Sequence, residues 1–328
     1  MDSLDSTIAF VRVVSEGATP GERETLRACL SRSLPEIPPR YFYDDVGSAL
    51  FERITGLEVY YQTRTEILIL ERYAKEILAS SDPTQVVELG SGAGRKIRLL
   101  LEAWGSAAAG GTCGMLDINE LFLRQSLERL GADHPTIQFR GIVGDFVEDV
   151  DRIGAPGRRL VVFFGGTIGN LYPHERRAFL RKLAAGMDHT DTMLVGVDLV
   201  KHPARLEAAY DDPDGVTAAF NRNMLTVLNR RFDADFDPSG FEHRALYDAE
   251  NAWIEMRLVA GRACRVNVRS IGMYLDFAQG EELRTEISCK FTRASLASSA
   301  AEVGLVIDGW FTDPEALFAL ALLRKQAS

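Results

Sequence analysis

Apolar and polar positions change rhythm along the chain, and each change predicts a different kind of architecture. Over the first 60 residues the apolar positions recur at helical spacing in short pieces. Glu22 to Ser33 predicts an amphipathic helix stopped by Pro35, Pro38 and Pro39, and Leu50-Phe51-Glu52-Arg53-Ile54-Thr55 predicts a second. Thr63-Arg64-Thr65-Glu66 has the S/T-x-x-E form of a capping box and predicts the start of a helix reaching Ile77. From Val86 onward, short apolar runs alternate with amphipathic ones, the pattern of a parallel sheet flanked by helices. The predicted strands are Val86–Leu89, Thr112–Asp117, Gln138–Gly144, Leu160–Phe164 and Thr192–Asp198, with helices over Lys96–Trp104, Glu120–Leu130 and Pro173–Gly186.

Past Asp198 the rhythm breaks. Residues 201 to 240 are helix-like and polar, with Leu225, Val227, Leu228 and Phe232 as expected core contacts. Residues 243 to 290 alternate as antiparallel strands do, around Ala252–Val259 and Thr285–Phe291. A helix over Arg293–Val303 and a strand pair, Leu305–Phe311 and Leu317–Leu323, close the chain. We therefore expect an α/β domain of residues 62–200 and 291–328. A second domain is expected from residues 1–61 and the insertion 201–290, since neither segment can build a core alone.

Composition narrows the function classes. With 328 residues, 46% of them hydrophobic, the chain can bury one large α/β core or a core and a smaller domain. A formal net charge of −10 argues against a nucleic-acid binder, which carries a basic face. Cys29, Cys113, Cys264 and Cys289 lie far apart with no C-x-x-C pair, so reduced thiols are expected rather than a zinc site or a disulfide framework. The start of the chain is acidic and polar, unlike a secretory signal, and no run of about 18 apolar residues predicts a membrane span. The expectation is a cytoplasmic protein acting on small molecules, with no nucleic acid, membrane or metal involved; composition leaves the oligomeric state open, and a monomer is the expectation adopted.

The chemistry concentrates at strand ends, where open α/β sheets bind ligands. Val86-Val87-Glu88-Leu89-Gly90-Ser91-Gly92-Ala93-Gly94-Arg95-Lys96 reads as a buried strand ending in a bare-backbone turn that an adenosine-bearing ligand can approach closely. Arg95-Lys96-Ile97 after Gly94 excludes the Gly-Lys-Ser/Thr ending of a P-loop, and the G-x-G-x-G spacing differs from the dinucleotide fingerprint. The run resembles the first motif of Rossmann-like S-adenosylmethionine-dependent methyltransferases. Asp117, ending the second strand, suits a ribose diol, although a surface aspartate is the plain alternative. Asp145-Phe146 after the third strand suits an adenine amino group and ring face. Lys96 suits the anionic end of the donor or, equally, solvent. After the fourth strand, Gly165-Gly166 permit close backbone approach, and Asn170 offers both a donor and an acceptor unless it merely caps the helix at Pro173. No Asn-Pro-Pro-Tyr run, the sign of amide or adenine amino methylation, is present.

An ordered set of segments then becomes specific: Tyr41-Phe42-Tyr43-Asp44, Gly47–Phe51, Tyr60-Tyr61 with Thr63–Glu66, Glu88–Lys96, Gly166–Leu171, Phe220-Asn221-Arg222-Asn223 and Glu286–Phe291. Together, from about residue 35 to the end, they resemble the histidine-specific Nα-methyltransferases of ergothioneine biosynthesis. The resemblance implies a Rossmann-like class I methyltransferase fold. That is a seven-stranded, mostly parallel sheet with helices on both faces, plus an inserted α+β substrate-binding domain. It implies three methyl transfers from S-adenosyl-L-methionine to the α-amine of L-histidine, through the mono- and dimethyl forms to hercynine, with S-adenosylhomocysteine as by-product. The donor site it implies is Gly90, Lys96, Asp117, Asp145 and Phe146. The histidine site it implies is Tyr60, Asn170, Tyr210, Glu286 and Ser288, lined by Tyr43, Thr217 and Met256, with Tyr43, Tyr60 and Asn170 closest to the chemistry. Glu58-Val59 and Gln62 depart from the family's usual residues around the tyrosine pair.

The residue chemistry agrees. A carboxylate at Glu286 and a hydroxyl two residues on, at Ser288, share one face of a strand and match the two nitrogens of an imidazole. An amine acceptor needs an unprotonated lone pair and alignment more than acid catalysis, so no strong base is required. Two other readings remain: the same scaffold acting on another amino acid or a histidine derivative, and a non-catalytic paralogue that only binds the donor.

Overall fold

The computed structural model describes residues 8–12 and 17–326. After β1 (Ile8–Arg12), helices α1 (Pro20–Leu30), α2 (Asp45–Ile54) and α3 (Tyr61–Ser81) lead to β2 (Gln85–Leu89). Alternation follows: α4 (Arg95–Trp104), β3 (Thr112–Asp117), α5 (Glu120–Asp133), β4 (Gln138–Val143), α6 (Phe146–Asp149), β5 (Arg159–Phe163), α7 (Pro173–Ala185) and β6 (Thr192–Asp198). The insertion holds α8 (Pro203–Tyr210), α9 (Val216–Phe232), β7 (Phe241–Asp248), β8 (Trp253–Ala260), β9 (Cys264–Val268), β10 (Met273–Phe277) and β11 (Glu282–Cys289). The chain ends with α10 (Arg293–Ala301), β12 (Leu305–Thr312) and β13 (Phe318–Lys325). Among the described residues, no helix is long and apolar enough to cross a membrane.

The described chain divides into two compact units, the first made of residues 8–12, 62–200 and 289–326. Its sheet has the order β1-β4-β3-β2-β5-β6-β13-β12, parallel throughout except for β13, which runs antiparallel to both β6 and β12. This is the Rossmann-like methyltransferase order with an added edge strand, so the sheet has eight strands where seven were expected. The extra strand is β1, parallel to β4. Residues 8–12 therefore belong to this sheet and not with the second domain; residues 1–7 and 13–16 of that expected segment lie outside the described residues. The strand is only five residues long, too brief to announce itself by pattern. Its fit depends on a distant position: a Cβ at Gly141 of β4 would meet the Phe10 ring at 2.7 Å.

A second expectation also changes. Helix α3 begins at Tyr61, so Thr63-Arg64-Thr65-Glu66 lies inside it and is no capping box. Glu66 falls on the buried stripe with Ile69, Leu70, Ala74 and Ile77, the face that packs on the core. At the N-terminal ends of β5 and β6, Arg159 and Asp191 form a fully buried pair at 3.0 Å. The Arg159 guanidinium also donates to the carbonyls of Gly154 and Gly186. This pair ties the sheet together at the ends away from the glycine turn.

The second unit comprises residues 17–61 and 201–288. It contains a three-stranded antiparallel sheet, β11-β8-β7, the hairpin β9–β10, and helices α1, α2, α8 and α9. The N-terminal segment and the insertion share its core, where the Phe42 and Phe220 rings stack at 4.4 Å. Asp44 caps α2 through the Gly47 N–H and accepts from Asn223 and Arg230 of α9.

Candidate active site

In the first unit the residues expected to hold the donor lie at and after the strand ends. Gly90, Gly92 and Gly94 all adopt positive φ, which glycine alone takes up without strain. No atom lies within 4 Å of where a Cβ would stand at Gly90 or Gly92, so the turn presents bare backbone to open space. Asp117, at the end of β3, accepts the Gly92 N–H at 2.7 Å and the Asn119 N–H at 2.8 Å. Each carboxylate oxygen has a second lone pair, which leaves acceptors for a diol. Burial pushes the Asp117 carboxyl up, and the N–H bonds from Asn119, Gly92 and Ile118 work against that rise. Asp145 caps α6 through the Val147 N–H at 2.8 Å, and half-buried Phe146 packs against Phe163, with ring centroids 4.9 Å apart. These features fit an adenosine-bearing donor.

Lys96 is not a solvated lysine. Its ammonium donates to Glu66 at 2.8 Å and lies 5.6 Å from the Phe164 ring centroid. Asn170 is half-buried and ends the 3₁₀ turn Thr167–Asn170 behind Gly165 and Gly166. It does not cap α7, whose N-cap is Tyr172, with the Glu175 carboxylate accepting the Tyr172 N–H. At the end of β6, Asp198 pairs with the buried Lys290 ammonium at 2.9 Å.

The second unit brings together the other predicted residues. Phe51 meets Tyr43 and Tyr60 edge-on, at 5.9 and 6.2 Å, and Tyr60 meets Tyr210 at 6.3 Å. The Tyr210 hydroxyl donates to Ser288 Oγ at 2.8 Å. Ser288 and Glu286 stand two residues apart on β11, both buried. Between them and β8, the Thr285 hydroxyl donates to the carbonyl of buried Met256. Thr217, in the first turn of α9, donates its N–H to Asp212 at 2.7 Å. Burial works to raise the Asp212 carboxyl, but bonds from Thr217 and the Val216 N–H outweigh it and hold it low.

Several residues escaped the sequence reading. His243 of β7 sits behind Tyr210: its Nε2–H donates to the Tyr210 carbonyl and its Nδ1 accepts from Asn221, both at 2.8 Å. Burial pushes His243 down despite the Tyr210 carbonyl and Asp211, which favours the neutral ring that this pairing needs. Glu88, just before the glycine turn, is buried with no partner for Oε2. Burial drives its carboxyl well above the ordinary range; Lys96 opposes this, while Asp117 and Glu66 add to it. Glu66 was legible in principle, because a carboxylate on the apolar stripe of a helix requires a partner. Nothing in the local pattern marks His243.

A model of the family described as "Histidine-specific methyltransferase, SAM-dependent" matches residues 22–325. The chain is similar to a histidine N-alpha-methyltransferase of Mycolicibacterium smegmatis, 44% identical over 94% of this chain and 97% of that protein. It is 41% identical to a histidine N-alpha-methyltransferase of Mycobacterium tuberculosis, over 92% of this chain and 94% of that one. Ergothioneine biosynthesis protein 1 of Schizosaccharomyces pombe is 30% identical over 69% of this chain, which spans 31% of its length.

Proposed function

The chain belongs to the histidine-specific, S-adenosylmethionine-dependent methyltransferase family, and from that premise we propose that it trimethylates the α-amine of L-histidine to hercynine. One observation carries the choice of acceptor: Glu286 and Ser288 on β11, with Ser288 held by the Tyr210 hydroxyl. On this reading Glu286 and Ser288 take the two imidazole nitrogens. A side chain lacking a ring N–H then offers that buried carboxylate no donor, which disfavours aliphatic and phenyl side chains. Following the family resemblance, we assign Tyr210 and Asn170 to the substrate carboxylate and Tyr60 and Tyr43 to the amine. Thr217 and Met256 line the pocket.

S-adenosylmethionine, when bound, supplies a methyl group on a sulfonium. Gly90, Lys96, Asp117, Asp145 and Phe146 are the residues we assign to hold it. Bare backbone at Gly90, the paired Lys96 and the Asp117 carboxylate held by backbone N–H groups support that assignment. What remains for the protein is alignment, worth several powers of ten when a nucleophile is held in line. The amine's proton leaves through water or a tyrosine hydroxyl. The aromatic faces of Tyr43 and Phe51 suit the quaternary cation that accumulates with the last transfer. Cys29, Cys113, Cys264 and Cys289 form no disulfide, which supports a reducing, cytosolic setting, and we take the protein to act as a monomer on this small substrate.

Incubation with S-adenosylmethionine and the standard amino acids, read by mass spectrometry, tests the proposal. Histidine should gain up to three methyl groups. Methylation of another amino acid instead would favour the second reading, and no methylated amino acid at all would favour a donor-binding paralogue.

A further inference from the structure

The donor unit contains a carboxylate that the proposed reaction does not use. Glu66 is fully buried on the apolar stripe of α3, a placement tolerated only when the group is paired and hydrogen-bonded. Three features hold it there. The Gly165 N–H donates to both its oxygens, at 3.1 and 2.9 Å. The Lys96 ammonium donates to Oε2 at 2.8 Å. Gly196, inside β6, supplies the space: a Cβ there would lie 2.2 Å from Glu66 Oε1. Glycine weakens a strand interior, and here it marks the close approach of another group.

We infer that Glu66 is a positioning residue for methyl-donor binding: anchored by Gly165 and Gly196, it fixes the Lys96 ammonium where the donor's carboxylate is received. The inference rests on the assignment of Lys96 to the donor. A lysine has more rotamer freedom to lose than almost any side chain, so a fixed partner removes that cost before the ligand arrives. An ammonium has three donors, and Glu66 takes one. The opposing effect, repulsion between Glu66 and the donor's carboxylate, predicts the reverse sign, since removing the charge would then tighten binding.

Calorimetric titration of the 328-residue chain with S-adenosylmethionine and S-adenosylhomocysteine separates these outcomes. Glu66→Gln keeps the shape and removes the charge; it should weaken both ligands roughly tenfold or more while the KM for histidine stays within about twofold. Gly196→Ala displaces the carboxylate without altering it and should produce the same loss. In a Glu66→Ala background, Gly196→Ala should change affinity by less than about twofold, because the carboxylate is gone and only the Phe318 ring, 3.0 Å from the added Cβ, is left to shift. Lys96→Met tests the underlying assignment by itself: unchanged donor affinity would remove both the assignment and the inference. If Lys96→Met weakens the donor, Glu66→Gln should add less than about twofold in that background. An undiminished Glu66→Gln effect there, a tighter donor, or an equal loss for donor and histidine would overturn the inference and leave Lys96 standing. Should Gly196→Ala not fold, the Glu66/Lys96 cycle decides alone.

Discussion

On the proposed reading the first unit holds the methyl donor and the second the acceptor, and they do so in opposite ways. The donor unit separates stability from binding along its strands. Its buried Arg159–Asp191 pair ties the N-terminal ends, while the glycine turn and Asp117 occupy the C-terminal ends. The acceptor unit makes no such division. Tyr210 packs on Tyr60, bonds Ser288 and receives the His243 N–H, so the residues proposed to line the site also hold the core. A sheet supplies a ready-made rim of backbone groups; a small α+β unit has to build its pocket from side chains. The donor unit is therefore expected to lose stability or affinity separately, and the acceptor unit to lose both together.

Asp191→Ala should give the largest effect. It leaves the buried Arg159 charge unpaired, a loss of about 3–5 kcal/mol in urea unfolding. Both KM values should stay unchanged while the protein remains folded; a raised KM for the donor would break the separation. Glu286→Ala comes next: the KM for histidine should rise roughly 100-fold, about 2.7 kcal/mol, with donor affinity unaffected. Equal effects on both substrates in steady-state kinetics would remove Glu286 from the imidazole. Tyr210→Phe should cost about 1 kcal/mol of stability and weaken histidine several-fold at once, because one hydroxyl serves both purposes. Loss of only one of the two would show that the acceptor unit is divisible after all.

The smallest effects are those of pH, and they run in opposite directions. Burial lowers His243 below its ordinary value, so the stability of its neutral form is present above about pH 6.5 and is lost as pH falls through the folded value. Burial raises Glu88, so its contribution is present below about pH 4.3 and is lost as pH rises through the folded value. Urea midpoints measured across pH should show the acid-side loss flattened in His243→Gln. In Glu88→Gln the stability gain over the parent should grow with rising pH. A gain that shrinks instead would contradict the buried, neutral Glu88.

The same contrast explains what could be read without a structure. Thr112–Asp117 and Thr192–Asp198 match their strands to the residue, because strands buried on both faces print an unbroken apolar run between polar ends. The glycine turn was legible because its requirement is local: positive φ and no side chain in front. Tyr60, Tyr210, Glu286 and Ser288 carry no such local mark, and only the ordered family resemblance drew them together.

The sequence by itself determined seven of the sheet's strands and the glycine turn, each from spacing within a single segment, and the family from an ordered set of segments along the chain. Only the tertiary structure decided that β1 adds an eighth strand, that Glu66 lies buried against Lys96 and Gly165 rather than capping a helix, and that His243 backs Tyr210. Those depend on partners 99 and 33 residues away for Glu66 and His243, and on Gly141 for β1. A carboxylate or a ring becomes buried and paired only when the fold closes around it, and no pattern of neighbours along the chain records which distant group will be there.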